Sequence, residues 1–79
     1  MKYIELVLVE NIISKYKVLA TAPSSKVRAG DMVRLEDGTI GIVISVAWIG
    51  NEDDDTILLL KQYRHIGKVK EAYSRRELE

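Results

Sequence analysis

Val33-Arg34-Leu35-Glu36-Asp37-Gly38-Thr39-Ile40-Gly41-Ile42 is the stretch whose reading decides the fold. Two alternating runs flank Asp37-Gly38, a dipeptide that favours a two-residue hairpin turn of type I′. Such a turn needs positive φ at both central residues, which Asp and especially Gly tolerate. The turn predicts a register in which Glu36 faces Thr39, Leu35 faces Ile40, Arg34 faces Gly41 and Val33 faces Ile42. Leu35 with Ile40 and Val33 with Ile42 then share one inward face. The expected architecture hangs on that register, because a slide of one residue would turn the aliphatic groups to solvent.

The alternation extends outward in both directions. Across residues 39–49, Ile40, Ile42, Ile44, Val46 and Trp48 occupy every second position, which predicts one long strand. Gly41 within it predicts a bulge or a sharp bend. Residues 31–36 form the partner strand. Residues 3–9 set Ile4, Leu6 and Leu8 on one side and Glu5 on the other. Residues 16–22 oppose Tyr16, Val18 and Ala20 to Lys17 and Thr21, before Ala22-Pro23-Ser24-Ser25 breaks the pattern. Residues 56–63, with Ile57, Leu58, Leu59 and Leu60, read as a strand buried on both faces, and 50–55 as the polar tip of a further hairpin. Residues 68–73 predict a last strand, and Ser74-Arg75-Arg76-Glu77 is a capping box that starts a short C-terminal helical turn, with Leu78 closing the barrel. Residues 10–14 are open between a loop and a helical turn, since Ile12 and Ile13 are too apolar for a simple solvated loop. Five or six short antiparallel strands in so small a chain close most cheaply into an all-β barrel.

With 79 residues, the chain is expected to fold as a single domain over 1–79. It has 47% hydrophobic and 30% charged residues, enough for one core and a wet surface, which argues against disorder. There is no cysteine, so disulfides and thiolate metal sites are excluded. Glu5 and Glu10 interrupt the first apolar segment, so neither a signal peptide nor a membrane span is read there, and a cytoplasmic address is expected. Twelve basic and twelve acidic residues give a formal net charge of zero, so the overall field attracts no polyanion. The basic residues nonetheless cluster: Lys15, Lys17, Lys26, Arg28 and Arg34 in one stretch, and Lys61, Arg64, Lys68, Lys70, Arg75 and Arg76 in another. They form a patch only if folding brings the stretches together.

The run Ala29-Gly30-Asp31-Met32-Val33-Arg34-Leu35-Glu36-Asp37-Gly38-Thr39-Ile40-Gly41-Ile42-Val43 resembles the Gly-Asp-x-Val … Gly-x-x-Gly-x-Val signature of SH3-like barrels. It is similar to the KOW-type domains of ribosomal and transcription-elongation proteins. The resemblance covers about a fifth of the chain and implies a small SH3-like barrel, with Gly30-Asp31 as the lead-in turn, Val33 pointing inward and Gly41 bending the next strand. The segment 73–78 looks like the strand-plus-turn ending of many such barrels, and the first segment resembles other small bacterial or phage-borne β proteins. KOW-type RNA binders typically carry basic residues in the loop before the second glycine. Here that loop is Glu36-Asp37, so no RNA-binding residue is carried over, and the resemblance implies a fold rather than a function.

The candidate chemistry is sparse. His65 has no cysteine to activate and reads as a strand-end surface residue rather than a general base. Ser24 and Ser25 lie in a plain loop. Asn51-Glu52-Asp53-Asp54-Asp55 is acidic enough to suggest calcium, but on an EF-hand alignment Thr56 stands at the required glycine and Gln62 at the bidentate glutamate. A solvated tip is the preferred reading. Lys15, Tyr16 and Lys17, with Tyr63, Arg64, Lys68, Lys70 and Tyr73, interleave cations with rings that stack on bases. Alternating lysines are also what an ordinary solvent face carries. Trp48 reads as a barrel plug in preference to an interface anchor. No catalytic, cofactor-binding or metal-ligating residue is assigned, no cofactor is expected, and a ligand pocket inside so few strands is disfavoured. The expected function is a non-enzymatic protein-interaction or adaptor module, its partner another protein or a second copy. The alternative is a nucleic-acid-binding accessory barrel.

Overall fold

The structure, a computed structural model, describes residues 3–23 and 26–74. Strands β1 (Tyr3–Asn11), β2 (Lys17–Pro23), β3 (Met32–Leu35) and β4 (Ile40–Asn51) are followed by helix α1 (Asp55–Tyr63) and strand β5 (Gly67–Tyr73). The strands close into a barrel in the order β1-β2-β5-β3-β4. Four of its seams are antiparallel, but β2 and β5 run parallel, through Ala20 with Gly67 and Thr21 with Lys68. The expected all-antiparallel barrel is corrected to a mixed one. The cause lies in the connection. β4 and β5 flank β3 and run in the same direction, so the chain must cross back between them, and parallel crossovers are commonly made by a helix.

That helix replaces two expected elements, the strand at 56–63 and the hairpin tip before it. The acids that suggested a tip start the helix instead. Asp54 is the N-cap, its Oδ1 accepting from the Thr56 N–H at 2.8 Å, and Asp55 sits in the first turn. Lys61 lies in the last turn, where a cation suits the helix dipole. Ile57 is fully buried and Leu60 partly so, three residues apart on one face, while Leu58 and Leu59 are exposed. Of the expected C-terminal capping box only Ser74 is described; Arg75-Arg76-Glu77 and the Leu78 closure lie outside the described residues, as do Ser24 and Ser25.

The hairpin reversal takes three residues, not two. The Gly38 N–H donates to the Leu35 carbonyl at 3.0 Å, and the Leu35 N–H donates to the Thr39 carbonyl at 2.8 Å. Only Gly38 has positive φ, at 91°, while the Asp37 carboxylate accepts from the Thr39 N–H at 2.9 Å. A type I turn closed by one left-handed glycine spares Asp37 the positive φ that a type I′ turn would impose. The extra loop residue shifts the register by one: Met32 faces Ile42, Val33 faces Gly41 and Arg34 faces Ile40. Gly41 and Val43 therefore turn inward, and Ile40 and Ile44 meet solvent. The expected inward isoleucine row is overturned.

The barrel survives that inversion because most of its interior comes from the other strands. Val7 and Val9 of β1, Ala20 and Ala22 of β2, Val33 and Leu35 of β3, and Val43 of β4 form one buried cluster with Val27. Asp31 closes the lead-in turn by accepting from the Arg28 N–H at 2.9 Å, beside Gly30 at φ 94°. β1 is buried on both faces. Glu5, Val7 and Val9 face the interior, and Ile4 and Leu6 pack outside against Ile57 with Leu19, Trp48, Leu60 and Ile66. Trp48 thus sits under α1 rather than plugging the barrel. The reason is two slips in the pairing of β4 with β1, where β4 carries one extra residue at Ile44 and another at Ala47. The bulges lie there, and not at Gly41. Of residues 10–14, the first two belong to β1 and 12–14 form a turn, closed by the Lys15 N–H donating to the Asn11 carbonyl at 2.9 Å, with the Asn11 Oδ1 accepting from the Ile13 and Ser14 N–H groups.

Gly41 is where β1 passes closest. A Cβ at this position would lie 2.5 Å from Val9 Cγ1 and 2.6 Å from the Glu10 carbonyl oxygen. Nothing lies within 4 Å of the equivalent point at Gly38. Gly41→Ala is therefore expected to cost about 1–3 kcal/mol by overpacking, and Gly38→Ala about 1–2 kcal/mol through φ alone. Urea denaturation of both variants checks the order. Whole-chain stability is expected at roughly 4–12 kcal/mol, so Gly41→Ala should be visibly the weaker fold.

Candidate functional site

The outer surface of the barrel has two halves. α1 covers the half made by β1, β2 and the end of β4. The other half, made by β3, β5 and the beginning of β4, has no helix over it among the described residues. On this half the register brings side chains into two lateral rows. Ile42, Met32 and Tyr73 are cross-strand neighbours in one, and Ile40, Arg34 and Glu71 in the other. Ile44 extends the apolar edge from the bulge. Ile40 is 42% exposed and Tyr73 45%, large values for apolar groups that line one groove, and Ile44, two residues beyond Ile42 along β4, is 43% exposed. A shallow groove of about 190 Å³ runs between Met32, Arg34, Ile40 and Tyr73, with Val33 at its base. Isolated exposed aliphatics need no explanation, whereas a contiguous set marks a contact surface.

The polar groups of this face neutralise one another. The Arg34 guanidinium lies 2.6 Å from the Glu71 carboxylate, and the Tyr73 hydroxyl donates to the same carboxylate. The Tyr73 hydrogen bond, and then Arg34, hold the Glu71 carboxyl below the usual carboxylate range. Glu71 in turn raises both the Arg34 guanidinium and the Tyr73 phenol. The face is thus an apolar surface that carries one internally satisfied ion pair, with Lys70 close enough to act on Glu71 as well.

The residues singled out in the sequence are dispersed. His65 is exposed between α1 and β5. Asn51, Asp53 and Asp54 serve local structure, the Asn51 Oδ1 accepting from the Asp53 N–H at 2.9 Å. Among the described residues no group of three or more His, Cys, Asp or Glu side chains converges as a metal site. Among the described residues the two basic stretches meet where Lys17 comes to line a groove with Arg64 and His65, and again around Glu71, on which both Arg34 and Lys70 act. Arg34 and Lys68 go elsewhere, Lys68 to Glu36 at 3.9 Å. Sequence reasoning did not find the apolar outer face, and one signal carried it: Gly38 suits the third position of a three-residue loop as well as the second of a two-residue one.

No protein-family model matches the chain, no curated protein matches it, and no solved structure matches it. Among the described residues no helix is long and apolar enough to cross a membrane.

Tyr73→Phe removes the leading cause of the depressed Glu71 carboxyl, so its pKa is expected to rise towards the ordinary range, as read by NMR titration of the side-chain carboxylate. The sign follows from linkage: a depressed carboxyl stabilises the fold above its unfolded-state pKa, and the effect fades as pH falls through the folded-state value. Wild type and variant should both begin to lose that contribution at the unfolded-state pKa, and the variant, with less to lose, should exhaust it at a higher pH.

Proposed function

We propose that the chain is a non-enzymatic protein-interaction module and that its docking surface is the outer face of β3, β4 and β5. The observation that carries the reading is the contiguous apolar set of Met32, Ile40, Ile42, Ile44 and Tyr73 on a half of the barrel that α1 leaves bare. Protein interfaces place an apolar, aromatic-bearing core inside a polar rim. The occupant proposed is a second copy of the chain. An isologous contact needs a face complementary to itself. Arg34 beside Glu71 meets that need, because rotation about a two-fold axis brings each pair to its reversed image. Zero net charge removes the long-range repulsion that would oppose it.

The barrel itself is read here as SH3-like. The left-handed Gly30, the buried Asp31 and the inward Val33 agree with the Gly-Asp-x-Val part of that signature. This reading concerns architecture, and the docking function stands on the face alone.

Sedimentation equilibrium at tens to hundreds of micromolar tests the proposal. The wild type is expected near twice its 9.0 kDa monomer mass. Ile44→Asp, at an exposed position, should return it to the monomer with an unchanged melting profile. Hydrogen exchange should show protection on β3 and β5 that weakens on dilution. A wild-type monomer at the highest concentration would remove the second copy as occupant. Association that persists in Ile44→Asp and maps to Leu58, Leu59 and Tyr63 of α1 would remove the assigned face.

A further inference from the structure

The C-terminal end of α1 and the beginning of β2 enclose the second feature of interest, a groove of about 490 Å³ lined by Leu8, Lys17, Val18, Leu19, Arg64 and His65. Two strands supply its aliphatic lining residues, Leu8 from β1 and Val18 and Leu19 from β2. Its polar groups are two cations and an imidazole, and no carboxylate is among its lining residues. Neither Lys17 nor Arg64 forms an ion pair with a described residue. Two tyrosines directly precede these cations in the chain, Tyr16 before Lys17 and Tyr63 before Arg64, and they are 77% and 79% exposed. Glu10, which pairs with Lys17 across the hairpin, is the nearest opposing charge in the register.

We infer that this groove is a binding site for a single-stranded nucleic acid. Lys17 and Arg64 take successive phosphates, the Arg64 guanidinium through paired N–H donors. The aliphatic lining residues and the flanking tyrosine rings take sugar and base faces. The combination of a cationic track with exposed rings is the physical basis of sequence-tolerant single-strand binding. An acidic peptide would use the two cations but would leave the rings and the aliphatic lining residues without a matching surface. None of the groove residues falls within the 29–43 run, and the groove and the docking face lie on opposite halves of the barrel.

Fluorescence anisotropy with a labelled twelve-nucleotide oligothymidylate, titrated at 50 to 200 mM salt, tests the site. Two phosphate contacts on a single strand give a log–log salt slope of about −1.4, or about a sevenfold loss of affinity over that range. Lys17→Gln and Arg64→Gln are each expected to bring the slope to about −0.7. Lys17→Glu combined with Arg64→Glu should abolish binding, with circular dichroism showing the fold retained. Lys26→Glu combined with Lys70→Glu changes net charge equally outside the groove and should stay within about twofold of wild type. Glu10→Gln, which removes an opposing charge, should tighten binding. Ile44→Asp should bind as wild type does, so loss of self-association and loss of this site are read separately. No binding at 50 mM salt would overturn the inference. So would an equal loss in the control pair, or equal competition by a twelve-residue polyglutamate.

Discussion

The reversal at Glu36-Asp37-Gly38 decides which side of β4 meets the interior, and the rest of the molecule is built around that choice. One left-handed glycine closes the loop, and the third loop residue turns Gly41 and Val43 inward. The inward slot at 41 lies against Val9 and the Glu10 backbone, where even a methyl group would collide. Had the register run one step the other way, Ile40 and Ile42 would enter a space already occupied by Val7, Val9, Val33 and Leu35. A close-packed interior penalises such overfilling as it penalises a void. The absent side chain at Gly41 and the inward valines and leucine of β1 and β3 are therefore one arrangement.

The same choice leaves the barrel with two unequal outer surfaces. β1 offers apolar groups on both sides, so its outer side needs a cover, and α1 provides it through Ile57. Full burial of one such side chain contributes about 1.5–3 kcal/mol, a large share of what a chain of this size has in total. α1 can lie there because the crossover from β4 to β5 must pass outside the barrel. The helix is nine residues long, and it covers one half only. The isoleucines expelled from the interior by the hairpin register lie on the other.

Strand positions were legible in the sequence because alternation survives whichever face is buried. Residues 3–9, 16–22 and 68–73 all fall on observed strands within one or two positions at most ends. Which face turned inward was not legible at 39–49, since Asp37-Gly38 is compatible with two loop lengths that differ by one residue, and strand sidedness has a period of two. The run at 56–63 failed for a different reason. Four successive aliphatic residues carry no period of their own, and the deciding signals are the cap at Asp54, which equally suits a hairpin tip, and the cation at Lys61, which falls within the expected strand at 56–63. The candidate sites follow suit. The cations of the groove were visible as residues, but their convergence depends on α1, and the outer face depends on a register set by one turn residue.

Charge is sorted between the two surfaces in a way that composition conceals. A formal net charge of zero describes the chain as a whole, yet the cations fall into different local situations. Arg34 is matched by Glu71 on the apolar face, and Lys68 by Glu36 at the neighbouring rim. Exposed pairs of this kind add little stability, and their more important effect is to cancel charge where an apolar contact would otherwise have to desolvate it. Lys17 and Arg64 have no such match among the described residues and share their groove with Leu8, Val18 and Leu19. Screening at physiological salt acts over about 8 Å, so each surface presents its own local field rather than the average. A neutral chain can in this way carry an apolar face and a cationic groove, set apart by the helix that covers one half of its barrel.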